Sequence, residues 1–308
     1  MIDVILRILV YGLAVGGCNA LVAIGFSLIF GVARLLNMAH GIFFVLGGYL
    51  SYIFVTSVFS FLPPEMAMAL SSIVAVILMF FIGIGAYAML HPLGTNILAT
   101  IITSSAQAYI IGTVLLITFG AYVRSLPFLI PGTISIAGVE VASQYLLQTA
   151  LSVLAMAILI VFLSKTKTGK AIRATADDRD AAMLMGINVS RVNALVYGIS
   201  AALAALAAAI TCSIPFNLEP LYAPGIWMGR AFVMAILGGL GSISGTVLGA
   251  FVYSYVQMAF MEISPAWFPG FGAYLVDIVM PIMVLLILYF KPTGIRGRPL
   301  REILWEGA

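Results

Sequence analysis

Long apolar runs dominate the chain, at about residues 4–30, 41–62, 66–90, 97–119, 144–164, 192–214, 227–261 and 273–290. Several exceed the roughly 18 residues that mark a candidate membrane span, and none alternates polar with apolar positions as a barrel strand would. A segment surrounded by hydrocarbon must satisfy its own backbone, so these runs are expected to be helices. The run 227–261 would make a helix of about 52 Å at 1.5 Å per residue, too long for a bilayer core about 30 Å thick. Near its middle lies GGLGSISG (238–245). Glycine costs about 1 kcal/mol per helical position, so the run is expected to form two short helices joined inside or near the membrane. The first half has a counterpart in GFSLIFGVARLLNMAHGIFFVLGGYL (25–50), where the polar stretch Arg34 to His40 separates two apolar helices. The expected fold is an all-α polytopic membrane protein, one domain over 1–308. It has about eight or nine membrane-embedded helices, two of them interrupted or short.

Composition agrees: 63% of residues are hydrophobic, against about 45–50% in soluble domains. Only 8% are charged, and nine of those 25 residues fall within 165–191. Between Val192 and Phe290 the single Lys or Arg is Arg230, whereas Lys291 to Arg301 holds four. Cationic loops tend to stay cytoplasmic, which places 165–191 and the tail 291–308 inside. Counting back puts 31–40 and 91–96 inside as well, and the N-terminus outside. Val15-Gly16-Gly17-Cys18 is close to a lipoprotein cleavage box, yet the apolar pattern continues through Phe30, as in a retained span. Cys18 and Cys212 both lie in apolar runs and are expected to be buried thiols, with no disulfide framework or metal site.

Polar groups in apolar surroundings are expensive and mark functional candidates; here they are Asn19, Asn37, His40, Arg230 and Asp277. Paired interrupted helices in the two halves of a transporter point to its binding site. That places Asn37 and His40, and in the second half Gly239, Gly241 and Ser242, beside a translocation pathway. Competing accounts remain: Asn37 and His40 capping half-helices, Arg230 snorkelling to headgroups, Asp277 at an interface, and Gly241, Gly245 and Gly249 serving close helix packing. Catalytic patterns fail. Position 243 is Ile in what would be G-x-S-x-G, His40 and His91 lack metal-site companions, and Ser164 and Ala171 spoil a phosphate loop around Gly169-Lys170. No ATPase site, cofactor or nucleic-acid partner is expected of this chain. In the charged island, Lys170, Arg173, Asp177 and Asp180 recur at helical spacing, Ile172, Ala176 and Met183 form an apolar stripe, and Gly186 ends the element. The expectation is one short amphipathic cytoplasmic helix: a solvated loop, a bilayer-surface helix or a docking helix for a soluble partner.

Three blocks resemble a known family. Arg34-Leu-Leu-Asn-Met-Ala-His-Gly41 resembles the I-N-x-A-H-G signature of permeases from branched-chain amino-acid ABC importers. Gly238-Gly-Leu-Gly-Ser-Ile-Ser-Gly245 followed by Thr-Val-Leu-Gly249 resembles their G-G-x-G-S-x-P-G-x-x-x-G block. Arg173-Ala174 through Asp180-Ala-Ala182 to Gly186-Ile187-Asn188 resembles their cytoplasmic coupling loop. The resemblance implies an inner-membrane bacterial permease subunit with a cytoplasmic C-terminus, pairing with a similar or identical subunit. It also implies an external solute-binding protein and two ATP-binding subunits that carry ATP and magnesium. These would dock at Lys170, Arg173, Asp177, Asp180, Ala181, Ala182 and Gly186. Asn37, Ala39, His40 and Gly41 carry over to the motif beside the pathway, and Arg230 falls where the family often has a basic residue. The implied substrates are branched-chain or other small apolar amino acids, with urea, amides and aromatic carboxylates as alternatives. Ser244 replaces the usual Pro, which would soften the second break.

Overall fold

The computed structural model describes residues 2–93, 96–136, 139–213, 218–264, 272–291 and 293–297, with only the backbone at 2, 136, 139, 272–277 (Asp277 among them), 279 and 280. Among them, seven helices are long and apolar enough to cross a membrane and two further apolar helices are shorter. Helix α1 (Ile2–Ala33) runs unbroken through Cys18, followed by α2 (His40–Ile53), α3 (Pro64–Leu90) and α4 (Ile97–Phe119). An antiparallel hairpin, β1 (Thr133–Ile136) and β2 (Val139–Ala142), pairs Thr133 with Ala142. The chain continues through α5 (Ser143–Lys165), α6 (Lys167–Asp177), α7 (Arg179–Leu184), α8 (Val189–Thr211), α9 (Ala223–Gly238), α10 (Ile243–Ile263) and α11 (Gly272–Phe290).

Helices α1 and α8 form the centre, and α2, α3, α9 and α10 pack around them. Ala201, Ala204, Ala205, Ala207, Ala208 and Ala209 of α8 are fully buried. Between membrane helices, small side chains of this kind permit the close approach on which dispersion contacts depend. Antiparallel α10 is tied along α1 by Thr246 Oγ1 donating to Ser27 Oγ at 2.9 Å and Asn19 Nδ2 donating to Ser254 Oγ at 2.8 Å. The outward faces of α3, α4 and α5 carry Ile73, Phe81, Ile102, Ile110, Ile158 and Val161. That apolar belt is what a lipid-facing surface requires.

Both expected interruptions exist. Arg34 ends α1 with φ 53°, a region most side chains avoid. His40, the first residue of α2, lies against Val22, 11 residues or roughly 16 Å before the end of α1 at Ala33. Residues 34–39 therefore double back into the bundle, and α2 starts at mid-depth. At the second break Gly239 and Gly241 adopt φ 106° and 81°, which favours glycine. Ser242 then caps α10, its Oγ accepting the Gly245 N–H at 3.2 Å. Ser244, at the position of the family's usual proline, lies in the first turn of α10. Segment 293–297 lies across the break: Ile295 N–H donates to the Leu237 carbonyl and Arg296 N–H to that of Gly238, both at 2.9 Å. The end of α1, helix α6, the second break and residues 293–297 thus share one face of the bundle; residues 298–308 of the expected tail lie outside the described residues.

Candidate translocation site and coupling surface

Helix α2, which continues through a π-helical turn to Val58, and the shorter α9 meet at their N-terminal ends. Gly41 lies against the Pro224 carbonyl and the Met228 backbone, and a Cβ at Gly41 would stand 2.7 Å from Met228 N. One turn along, Phe44 stacks on Trp227 with centroids 3.8 Å apart. Hydrogen bonds from within the chain hold the approach to each N-terminus. Asn37 Oδ1 accepts the Ala39 N–H at 3.1 Å, and Ser104 Oγ accepts that of Met38 at 3.0 Å. The Glu219 carboxylate accepts the N–H groups of Leu221, Tyr222 and Ala223 at 2.7, 2.6 and 3.3 Å. It thereby sits at the positive end of α9, where an anion is favoured. His40 Nε2 donates to the Val22 carbonyl at 2.8 Å, and its Nδ1 accepts from Ser200 Oγ at 3.2 Å. The ring therefore pins α2 to α1 and α8.

Asn37, Ala39, His40 and Gly41 are all buried in this crossing. The break presents other residues to open space. A chamber of about 350 Å³ lies between α2, α4 and α9, lined by Met38, Ile42, Ser105, Gly112, Pro224 and Met228 among others, with no charged side chain. Met38 and Ile42 are four apart and face it together; the motif's polar residues pack behind them.

Arg230 lies mid-helix in α9 with its guanidinium carbon 5.4 Å from the Trp227 ring centre. It lines a cavity of about 20 Å³ with Asn19, Gln148, Thr211 and Gln257. Snorkelling to headgroups is one of the competing accounts of this residue; in the structure its side chain borders this cavity within the bundle. Gly241 packs on Gly31, where an added Cβ would stand 2.9 Å from Gly241 Cα. Gly249 approaches Gly238, so these glycines do serve close packing. The buried Gln148, Gln257, Ser104 and Ser200 were missed by a search limited to Asn, His, Arg and Asp; glutamine inside an apolar run was an available signal.

The charged island departs from expectation. It is two helices, because Asp178 breaks the backbone with φ −147° and ψ 113°. Its Oδ1 accepts the N–H groups of Asp180 and Ala181, each at 2.9 Å, and so caps α7. The proposed stripe is therefore split, with Lys170, Arg173 and Asp177 on α6 and Asp180 on α7, all exposed. Helix α6 is fixed to the bundle through buried Ile172 and Gly169. It borders a groove of about 490 Å³ that it shares with Ser27, Gly31, Gly241 and Ser244. On α7, Ala181 is exposed while Ala182 packs inward. Beyond it Leu184 and Met185 are 89% and 83% exposed, and Gly186, with φ 82°, turns the chain back toward α8.

A family model described as the branched-chain amino acid transport system permease component matches residues 8–288. The chain is 31% identical over 304 residues to the high-affinity branched-chain amino acid transport system permease protein BraD of Pseudomonas aeruginosa, with 96% of both chains covered. It is 28% identical over 307 residues to the corresponding permease protein LivH of Escherichia coli K12, with 94% of both covered. A partial likeness, 34% over 105 residues and 32% of this chain, links it to the ribose import permease protein RbsC of Bacillus subtilis, of which 33% is covered. No solved structure matches.

Proposed function

The chain belongs to the family of branched-chain amino acid permease components, and on that premise we propose that it is the membrane-crossing subunit of an ATP-driven importer for branched-chain or other small apolar amino acids. What carries the reading is the meeting of α2 and the short α9 at their N-terminal ends beside an uncharged chamber of about 350 Å³, within the size range of small-molecule sites. Its apolar lining suits a branched side chain. Discontinuous helices meeting within the bundle form the site around which the two halves rock in alternating access.

In this reading a second permease subunit, identical or homologous, completes the pathway, and an external binding protein delivers the solute. Two ATPase subunits bind the face carrying α6 and α7, which is then the cytoplasmic face of the inner membrane. Leu184 and Met185 enter a groove of the ATPase, while α6 passes displacement to α1 and to the second break, its neighbours around the 490 Å³ groove. The work enters as a difference in contacts between two states. The test is uptake of labelled leucine by proteoliposomes holding the permease, its ATPase and its binding protein. ATP-dependent uptake is expected; uptake driven by an ion gradient through the permease alone would sink the proposal.

A further inference from the structure

Helix α4 turns one face to the 350 Å³ chamber, carrying Ser105, Ala108, Tyr109, Gly112, Thr113 and Leu116 at helical spacing. Hydrogen bonds on the adjoining side of the helix fix that rotation. Ser104 Oγ accepts the Met38 N–H at 3.0 Å, and Gln107 Nε2 donates to the Ala86 carbonyl at 3.1 Å. These buried side chains tie α4 to the first break and to α3. Position 112 is thereby aimed across the chamber at Ile42 of α2 and at Pro220, ahead of α9.

Glycine at 112 needs a reason. Packing requires Gly47 and Gly83, where an added Cβ would stand 2.5 Å from Ala205 and from the Tyr197 carbonyl oxygen respectively. Gly112 is different. Its Cβ would meet the Pro220 carbonyl oxygen at 3.7 Å and Ile42 Cδ1 at 3.8 Å, ordinary van der Waals distances. The backbone there is helical, a conformation in which glycine is disfavoured relative to alanine. Neither packing nor backbone geometry therefore asks for glycine, and what its absent side chain provides is space. A methyl group at 112 would already touch Ile42 and Pro220, both of them chamber walls, so any longer side chain must enter the volume between them. The chamber lies near the lower end of the size range of small-molecule sites, and that volume is a sizeable share of it. Apolar pockets discriminate by size, one methylene more or fewer changing specificity by roughly 10–200-fold.

We propose that Gly112 is the size filter for the transported amino acid: the gap it leaves between Ile42 and Pro220 receives the branched end of the solute's side chain. The assignment rests on the amino-acid reading above and goes beyond it by placing selectivity for side-chain length at one residue of the permease. Leucine fills the gap; alanine leaves it empty. The permease thus sorts solutes a second time, after the binding protein has released them.

The test is uptake by proteoliposomes holding the permease, its ATPase and its binding protein. Labelled leucine, valine and alanine are each supplied at concentrations that saturate the binding protein, which removes its own preference from the initial rates. Gly112→Leu is expected to lower the leucine-to-alanine uptake ratio at least about tenfold, and the leucine-to-valine ratio by less. Gly112→Ala shifts both ratios the same way by a smaller factor. Its methyl group displaces neither wall, so it decides the matter should thermal unfolding in nanodiscs show Gly112→Leu misfolded. Adding Ile42→Ala to Gly112→Leu reopens the gap from the facing wall and is expected to recover part of the leucine uptake. Ratios unchanged in the folded variants, or all three uptakes lowered alike, overturn the filter and leave the amino-acid reading standing. A wild type without ATP-dependent uptake of any of the three overturns the reading and the filter together.

Discussion

Replacing Leu184 and Met185 with serine removes the two most exposed apolar side chains of the charged island, 89% and 83% accessible in the isolated chain. Because so little of either side chain is packed, the permease should fold and unfold as the wild type does. Burying a side chain of this size fully contributes about 1.5–3 kcal/mol. Association recovers only part of such area terms, so the lower figure is the appropriate one, and two side chains give about 3 kcal/mol. That corresponds to a roughly 150-fold weaker complex. The measurement is equilibrium binding of the cognate ATPase subunits to the permease in nanodiscs, with unfolding temperature as the control. If the double variant bound within about threefold of wild type, well under 1 kcal/mol, the ATPase would have to be held by the charged residues of α6, and the assignment of α7 as the anchoring element would be wrong.

Gly41→Ala puts a methyl group 2.7 Å from Met228 N at the helix crossing; such overpacking costs about 1–3 kcal/mol, so a lower unfolding temperature and reduced leucine uptake are expected. His40→Ala removes the ties to Val22 and Ser200 and leaves a void, a loss of about 2–4 kcal/mol visible in thermal unfolding. Asp178→Ala deletes the cap of α7 and should cost about 1 kcal/mol locally, seen as faster amide exchange over 179–184 and a lower ATPase affinity with the membrane helices unchanged.

The paired breaks were legible because glycine and polar residues inside apolar runs oppose a continuous membrane helix, and the structure interrupts both runs there. What each break exposes was not. Met38 and Ile42 are ordinary apolar residues, and hydrophobicity reads the same whether a side chain faces lipid, core or chamber; only the register of α2 against α9 sorts them. The division of the charged island was partly legible. Asp178 ahead of Arg-Asp-Ala-Ala has the form of a helix cap, yet the helical spacing from Lys170 to Asp180 continues across it and masks the break. Arg230 stands out in the sequence as a costly residue, but the polar side chains that line a cavity with it come from α1, α5, α8 and α10, distant in sequence and joined only by the fold.

The backbone bonds from Ile295 and Arg296 to the end of α9 also set an order of events during biosynthesis. The carbonyls of Leu237 and Gly238 receive these donors only after α10 and α11 have been translated and the chain has returned to the same face. Until then the half-helix that walls both cavities has an unfinished end. Translocation machinery or water must accommodate it in the interval, so α9 takes its final seat late, after spans that follow it in the chain.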